Sequence, residues 1–261
     1  MNTRAFTLLE LSIVLVIIGL LIGGIFVGQS LIHTAQLNAV ISEFNRYQTA
    51  VQNFKQQYQA LPGDMNNATS FWGSAGGAGN DPTCFYAGST TTATCNGNGD
   101  GLLDVENTQW GEIFGFWKQL VNARMIDGSY TGQESTAVSG TNIPLSKFPA
   151  AGWNATSGAN LLAGWNYFQS FSTIPIDYGT GNILVLGANS GATTMAYGNV
   201  LTPKDAWSID KKLDDGVPIS GNVISSAVGC TTAPNFTNDV GATYALSTTS
   251  VACSIVFIPG F

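Results

Sequence analysis

The residues of this chain whose types and spacing could do chemistry are mostly oxygens. The run "NGNGDGLLDVEN" places Asn96, Asn98 and Asp100 at alternating positions, Gly101 at a sharp turn, the Leu102 carbonyl next, and Asp104 two residues further on. Calcium takes roughly six to eight oxygen ligands, and this spacing aims side chains and one carbonyl at a single centre. The bidentate Glu that would close such a loop is missing, since Asn107 stands at its position and Glu106 falls one residue early. A plain Asn-Gly turn beside Cys95 competes with the calcium reading and needs no metal. Asp210, Asp214 and Asp215 form a second acidic group, at the end of a helical stretch that also carries Lys211 and Lys212. There a solvated helix end is favoured over a second calcium site.

Other chemistries find little support. His33 is the single histidine, and no CxxC spacing or second His completes a zinc site. Ser and Asp are plentiful, yet no GxSxG or other catalytic spacing is present, so no enzymatic activity is expected. The four cysteines fall into two local couples, Cys84 with Cys95 and Cys230 with Cys253. In a membrane-targeted chain these read as two disulfides made in an oxidising compartment; three pairings are possible, and nearest-neighbour pairing is favoured. Of the 16 acidic residues 14 lie beyond Ala60, against 6 of the 9 basic ones, which leaves the later part near −8. Nucleic acid is therefore not expected as a partner, because phosphate binding needs clustered Lys and Arg.

The elements that would carry these residues begin with one long helix. From Phe6 the sequence is apolar, and Leu11 to Ile32 holds 22 residues without a formal charge, enough for a membrane span. Glu10 sits at the start of that run, where an unpaired carboxylate costs roughly 2.5 to 3.5 kcal/mol on insertion scales. A cleaved secretory signal would not hold Glu10 in its apolar region and would show a small-x-small site, which is absent. A plain signal anchor explains the length and leaves Glu10 without a purpose. Beyond the span the pattern changes period: Leu37, Val40, Phe44, Tyr47, Val51, Phe54, Tyr58 and Leu61 are spaced 3, 4, 3, 4, 3, 4, 3, a single helical stripe. Pro62 and Gly63 end it. From Phe6 to Ala60 this predicts one rod of about 80 Å. A free-standing coiled coil competes for the stripe, but its flanking positions are mostly neutral, which favours packing against the chain's own downstream body.

The basic leader "MNTRA", the junction before "FTLLEL", Glu10 as fifth residue after it, and the long helix together resemble the type IV pilins and the pseudopilins of type II secretion. The resemblance implies cleavage by a prepilin peptidase between Ala5 and Phe6, N-methylation of the new Phe6 amine, and a role for Glu10 in assembly. The sequence departs at the cut, where Ala5 stands in place of the usual Gly. The resemblance also implies a precursor in a bacterial inner membrane, an assembly platform, and a homo-oligomeric helical filament that spans the periplasm or reaches the cell exterior. A surface pilus subunit is favoured over a secretion pseudopilin. An anchored periplasmic binding domain that never polymerises is the reading from another class. Gly19, Gly23, Gly24 and Gly28 form two small-xxx-small pairs that would let helices approach closely, or let the rod loosen, at about 1 kcal/mol of helix propensity each.

The expected fold is α+β and pilin-like: a long N-terminal helix packed on an antiparallel sheet, with a large loop-rich insertion. It divides into a leader at 1–5, an apolar helical half at 6–32, an amphipathic half at 33–61 and a body at 62–261. In the body, Asp64 is expected to cap a short helix reaching Trp72, and Thr108 to Arg124 to form a second helix with Ile113, Phe116, Trp117 and Leu120 inward. "NILVLGA" from Asn182 and "CSIVFI" from Cys253 read as buried strands. "LTPKDAWSIDKKLDDG" reads as a helix with Thr202 as cap, Pro203 first, Asp205 completing a capping box and Gly216 as its end.

Overall fold

The structure, a computed structural model, describes residues 7–77, 79, 82–103, 111–133, 136–158, 181–189, 195–225, 229–233 and 241–261. Helix α1 runs unbroken through Leu8–Tyr58. Thr7 starts it, with its hydroxyl accepting from the Glu10 amide at 3.2 Å while the Glu10 carboxylate accepts from the Thr7 amide at 2.8 Å. This reciprocal capping box satisfies two otherwise orphaned donors. Gln59 closes the helix in the left-handed region, at φ 52°, just ahead of the Pro62-Gly63 turn. No break occurs at Gly19, Gly23, Gly24 or Gly28, and a Cβ at any of these four would meet nothing within 4 Å.

The stripe is buried by the chain's own body. Leu37, Val40, Phe44, Tyr47, Val51, Phe54 and Leu61 are buried and Tyr58 is half-buried. Phe44 stacks on Phe257 with ring centroids 4.7 Å apart, and Tyr47 meets Trp117 and Trp153 edge-on at 5.0 and 5.5 Å. Each such side chain contributes about 1.5–3 kcal/mol by leaving water. A coiled-coil partner is not needed to account for the period.

The sheet has four antiparallel strands in the order β1-β2-β4-β3: β1 Ala151–Ser157, β2 Asn182–Ala188, β3 Val223–Ile224 and β4 Ile255–Phe257. Alternation along β2 splits the apolar residues between two layers. Leu184 and Leu186 join Trp153, Val223 and Phe257 in the core that holds the α1 stripe, whereas Ile183 and Val185 pack with Ile224 and Val256 on the other face. Burial on both faces is why "NILVLGA" is continuously apolar rather than alternating. The mixed α+β architecture, long helix over antiparallel sheet, is the one the pilin resemblance implies.

Among the described residues four further helices lie in the body: α2 Ala68–Trp72, α3 Pro82–Ala87, α4 Gly111–Asn122 and α5 Pro203–Leu213. Asp64 does not cap α2. Asn67 occupies the cap position without a side-chain hydrogen bond, and Asp64 instead accepts from the amides of Gly99 and Gly101. Helix α4 ends at Asn122 rather than Arg124, and residues 108–110 lie outside the described residues. Ile113, Phe116, Trp117 and Leu120 are buried as expected, but so is Phe114, because α4 is covered all round. Helix α5 carries the expected capping box, with the Thr202 hydroxyl accepting from the Asp205 amide at 3.2 Å; it ends at Leu213, and Gly216 follows at φ 77°. Helix α3 is not among the helices that the sequence spacing predicts.

Disulfides join Cys84 to Cys95 and Cys230 to Cys253. Buried side-chain amides tie the long connections where ladder hydrogen bonds are scarce. Gln119 accepts from the Gly63 amide and donates to the Cys95 carbonyl. Asn154 takes both backbone groups of Ala196, and Asn182 accepts from the Leu103 amide.

Candidate functional site

The first half of α1 is a rod without protein around it. Leu8, Leu9, Leu11 and the large apolar residues from Ile13 to Ile32 are all exposed, most of them by half or more of their surface. Such a surface is incompatible with water and matches either lipid or other helices. The helix is long and apolar enough to cross a membrane.

Glu10 is the one charge on this surface. Its Oε2 accepts from the Thr7 amide at 2.8 Å and from the Thr7 hydroxyl at 2.9 Å, while Oε1 accepts no hydrogen bond among the described residues. One carboxylate oxygen thus completes the helix start, and the other is free to meet a cation. Ala5 and Phe6, the expected cut and methylated amine, lie outside the described residues.

The second half of α1 is fixed by polar contacts that hydrophobic spacing alone does not show. Glu43 is buried; its carboxylate accepts from the Ser146 hydroxyl at 2.6 Å, the Lys147 amide at 2.8 Å and the Trp153 indole at 2.8 Å. Three donors around one buried carboxylate make it a clamp between helix and sheet. Its signal in the sequence is its position, three residues after Val40 and four before Tyr47, which puts it inside the stripe. Lower on the rod, His33 Nε2 lies 2.7 Å from Asp205 Oδ1, and the Lys212 ammonium donates to Asn38 at 2.8 Å. His33 is therefore a contact between the end of the apolar run and α5, paired with the Asp205 carboxylate.

The oxygen-rich loop closes on an acid from outside it. The Asn96 side-chain oxygen accepts from the Thr69 amide, that of Asn98 from the Asp100 amide, and Asp100 Oδ1 from the Leu102 amide. Asp64 lies over the loop with both carboxylate oxygens engaged, at 2.6 Å from the Gly99 nitrogen and 2.8 Å from that of Gly101. Burial, with the Asp100 charge adding to it, pushes the Asp64 carboxyl above the ordinary carboxylate range, against the lowering effect of the backbone amides of Gly101, Gly99 and Asp100. Sequence spacing does not find Asp64, which comes from the turn after α1. Asp104 lies outside the described residues.

The second acidic group is not solvated throughout. Asp210 is fully buried, accepting from the Tyr244 hydroxyl at 2.8 Å and the Gly216 amide at 3.0 Å. Burial pushes its carboxyl up to about 6. Asp214 accepts from the Asn222 and Val223 amides, and Asp215 from the Val217 amide and the Ser220 hydroxyl. The three carboxylates approach within 4.8 Å, and their hydrogen bonds order the turn from α5 to β3.

Residues 1–26 match the prokaryotic N-terminal methylation motif. This is the prepilin signal of type IV pilins and pseudopilins, and it covers the leader, the junction, Glu10 and most of the exposed apolar surface. No curated protein and no solved structure matches the chain.

Proposed function

We propose that this chain is a structural subunit of a type IV pilus-like filament, with no catalysis of its own. Prepilin peptidase cleaves between Ala5 and Phe6, the new Phe6 amine is methylated, and an assembly platform in the inner membrane moves the subunit into the fibre. One observation carries this reading: a methylation motif lies on a helix whose first half is wholly exposed and apolar, while its second half is already saturated by the body. On entering the fibre each apolar half exchanges lipid for neighbouring helices. The four glycines leave open surface where those helices approach.

Glu10 sets the register of that exchange. A carboxylate entering an apolar bundle needs a cation, and the Phe6 amine of an adjacent subunit is the one that recurs in every copy. Glu10→Ala is expected to leave membrane insertion intact and to lower incorporation into fibres sharply. Normal fibre yield from that variant sinks the proposal. Fibres sheared from the cell surface identify a pilin; the same processed chain confined to the envelope identifies a secretion pseudopilin, and an uncut terminus an anchored domain that never polymerises.

Calcium at Asn96, Asn98, Asp100, Leu102 and Asp104 is a separate proposal, supported by the added carboxylate that Asp64 brings to the loop. Calorimetry of the protein with millimolar calcium tests it. Absence of heat together with an unchanged melting temperature leaves the loop as an Asn-Gly turn.

A further inference from the structure

Lys118 is a buried cation without a counter-charge. It is 3% exposed, and its ammonium donates only to the Ser89 carbonyl at 2.9 Å and to the Thr91 carbonyl. No carboxylate pairs with it; the two ion pairs among the described residues are His33–Asp205 and Arg46–Asp127. Burial alone lowers its ammonium below the usual lysine range, with no opposing charge to restore it. An uncompensated buried charge is unfavourable and is kept where something else answers it.

Lys118 lines a hollow of about 280 Å³ between the last turn of α4 and the loop around Thr91. That volume lies just below the range of drug-sized ligand sites, which begins at about 300 Å³, and suits a single small ring. Arg124 stands at the rim, exposed and outside both ion pairs. The remaining lining is rich in hydroxyls. Those of Thr90, Ser129 and Tyr130 make no hydrogen bond among the described residues, and Asn122 donates to the Thr92 carbonyl while keeping its own side-chain oxygen free. The C-terminal end of α4 places about half a negative charge here, and the two full positive charges exceed it. In a body near −8, this hollow holds two of the six cations beyond Ala60.

We propose that this hollow binds an acidic sugar: a ring whose carboxylate meets Lys118 and Arg124 and whose hydroxyls meet Thr90, Ser129, Tyr130 and Asn122. One negative charge among several hydroxyls matches two cations set among neutral donors and acceptors. A bare anion would leave the hydroxyls unused, and a neutral sugar would leave the cations unanswered. The site is separate from the apolar helix, so it does not depend on polymerisation.

Titration of the detergent-solubilised full chain with glucuronate, glucose and acetate, followed by calorimetry, tests the assignment. Glucuronate is expected to bind in the millimolar range and at least tenfold more tightly than either glucose or acetate, since each charge-assisted hydrogen bond contributes about tenfold. Arg124→Ala, at an exposed position, is expected to weaken glucuronate about tenfold at unchanged melting temperature. Lys118→Met is expected to abolish binding, with Arg124→Ala standing alone should the buried variant fail to fold. Equal binding of glucuronate and acetate, equal binding of glucuronate and glucose, or no binding of any of them overturns the proposal. So does an Arg124→Ala protein that binds glucuronate as tightly as the parent chain.

Discussion

The two halves of α1 are covalently one helix and physically two different objects. From Leu8 to Ile32 the large apolar side chains lie on every side of the helix and are all exposed; from Leu37 to Phe54 only one stripe is apolar, and it is buried in the core with the sheet and α4. Each half contains one carboxylate that matters. Glu10 ends with an oxygen to spare, whereas Glu43 is fully used by three donors within the fold. A helix that stabilises its own domain satisfies its polar groups at home. One that assembles with copies of itself keeps them open at the assembling end.

The largest effects should come from the second half. Glu43→Ala leaves the Ser146 hydroxyl, the Lys147 amide and the Trp153 indole without their acceptor and should lower body stability by about 3–5 kcal/mol in urea unfolding. Glu10→Ala in the same assay should leave the body's transition where it was. Val51→Ala should cost about 2 kcal/mol and Val16→Ala almost nothing, because only the first opens a cavity in a packed core. Equal losses at Val16 and Val51 would erase the division between the two halves.

A smaller effect concerns the body alone. The Asp210 carboxyl is held up to about 6 against an ordinary value of 3.8, so the folded state binds its proton more tightly than the unfolded chain does. Its contribution to stability is fully present below pH 3.8 and is lost as pH rises through about 6. Asp210→Asn should remove this slope in melting temperature between those values, while the α1 contacts stay as they are. The smallest change is expected at the boundary of the two halves. His33 is half-exposed, so His33→Ala should cost no more than about 1 kcal/mol, measured by chemical denaturation.

The long helix, its stripe, the α5 capping box and the strands β2 and β4 were legible because periodicity and cap chemistry are local signals. The free and packed halves were legible for the same reason, as a change of period near His33. What was hidden depends on long-range encounters. Asp64 sits where a helix cap reads naturally, and only the fold brings Gly99 and Gly101 to its carboxylate. Asp210 reads as a solvated residue until Tyr244 arrives from 34 positions away. The Lys118 hollow forms only where the loop around Thr91 meets the end of α4, 27 positions further along the chain at the Lys118–Thr91 contact, and spacing does not show that encounter.

The central claim is that the apolar half of α1 is cut free at Phe6 and buried among its copies in a fibre. Mass spectrometry of the amino terminus of this chain, taken from sheared and purified extracellular fibres, tests it most directly. The chain in those fibres is expected to begin at Phe6 with a methylated amine. A chain found intact from Met1, in membranes and never in fibres, would contradict it.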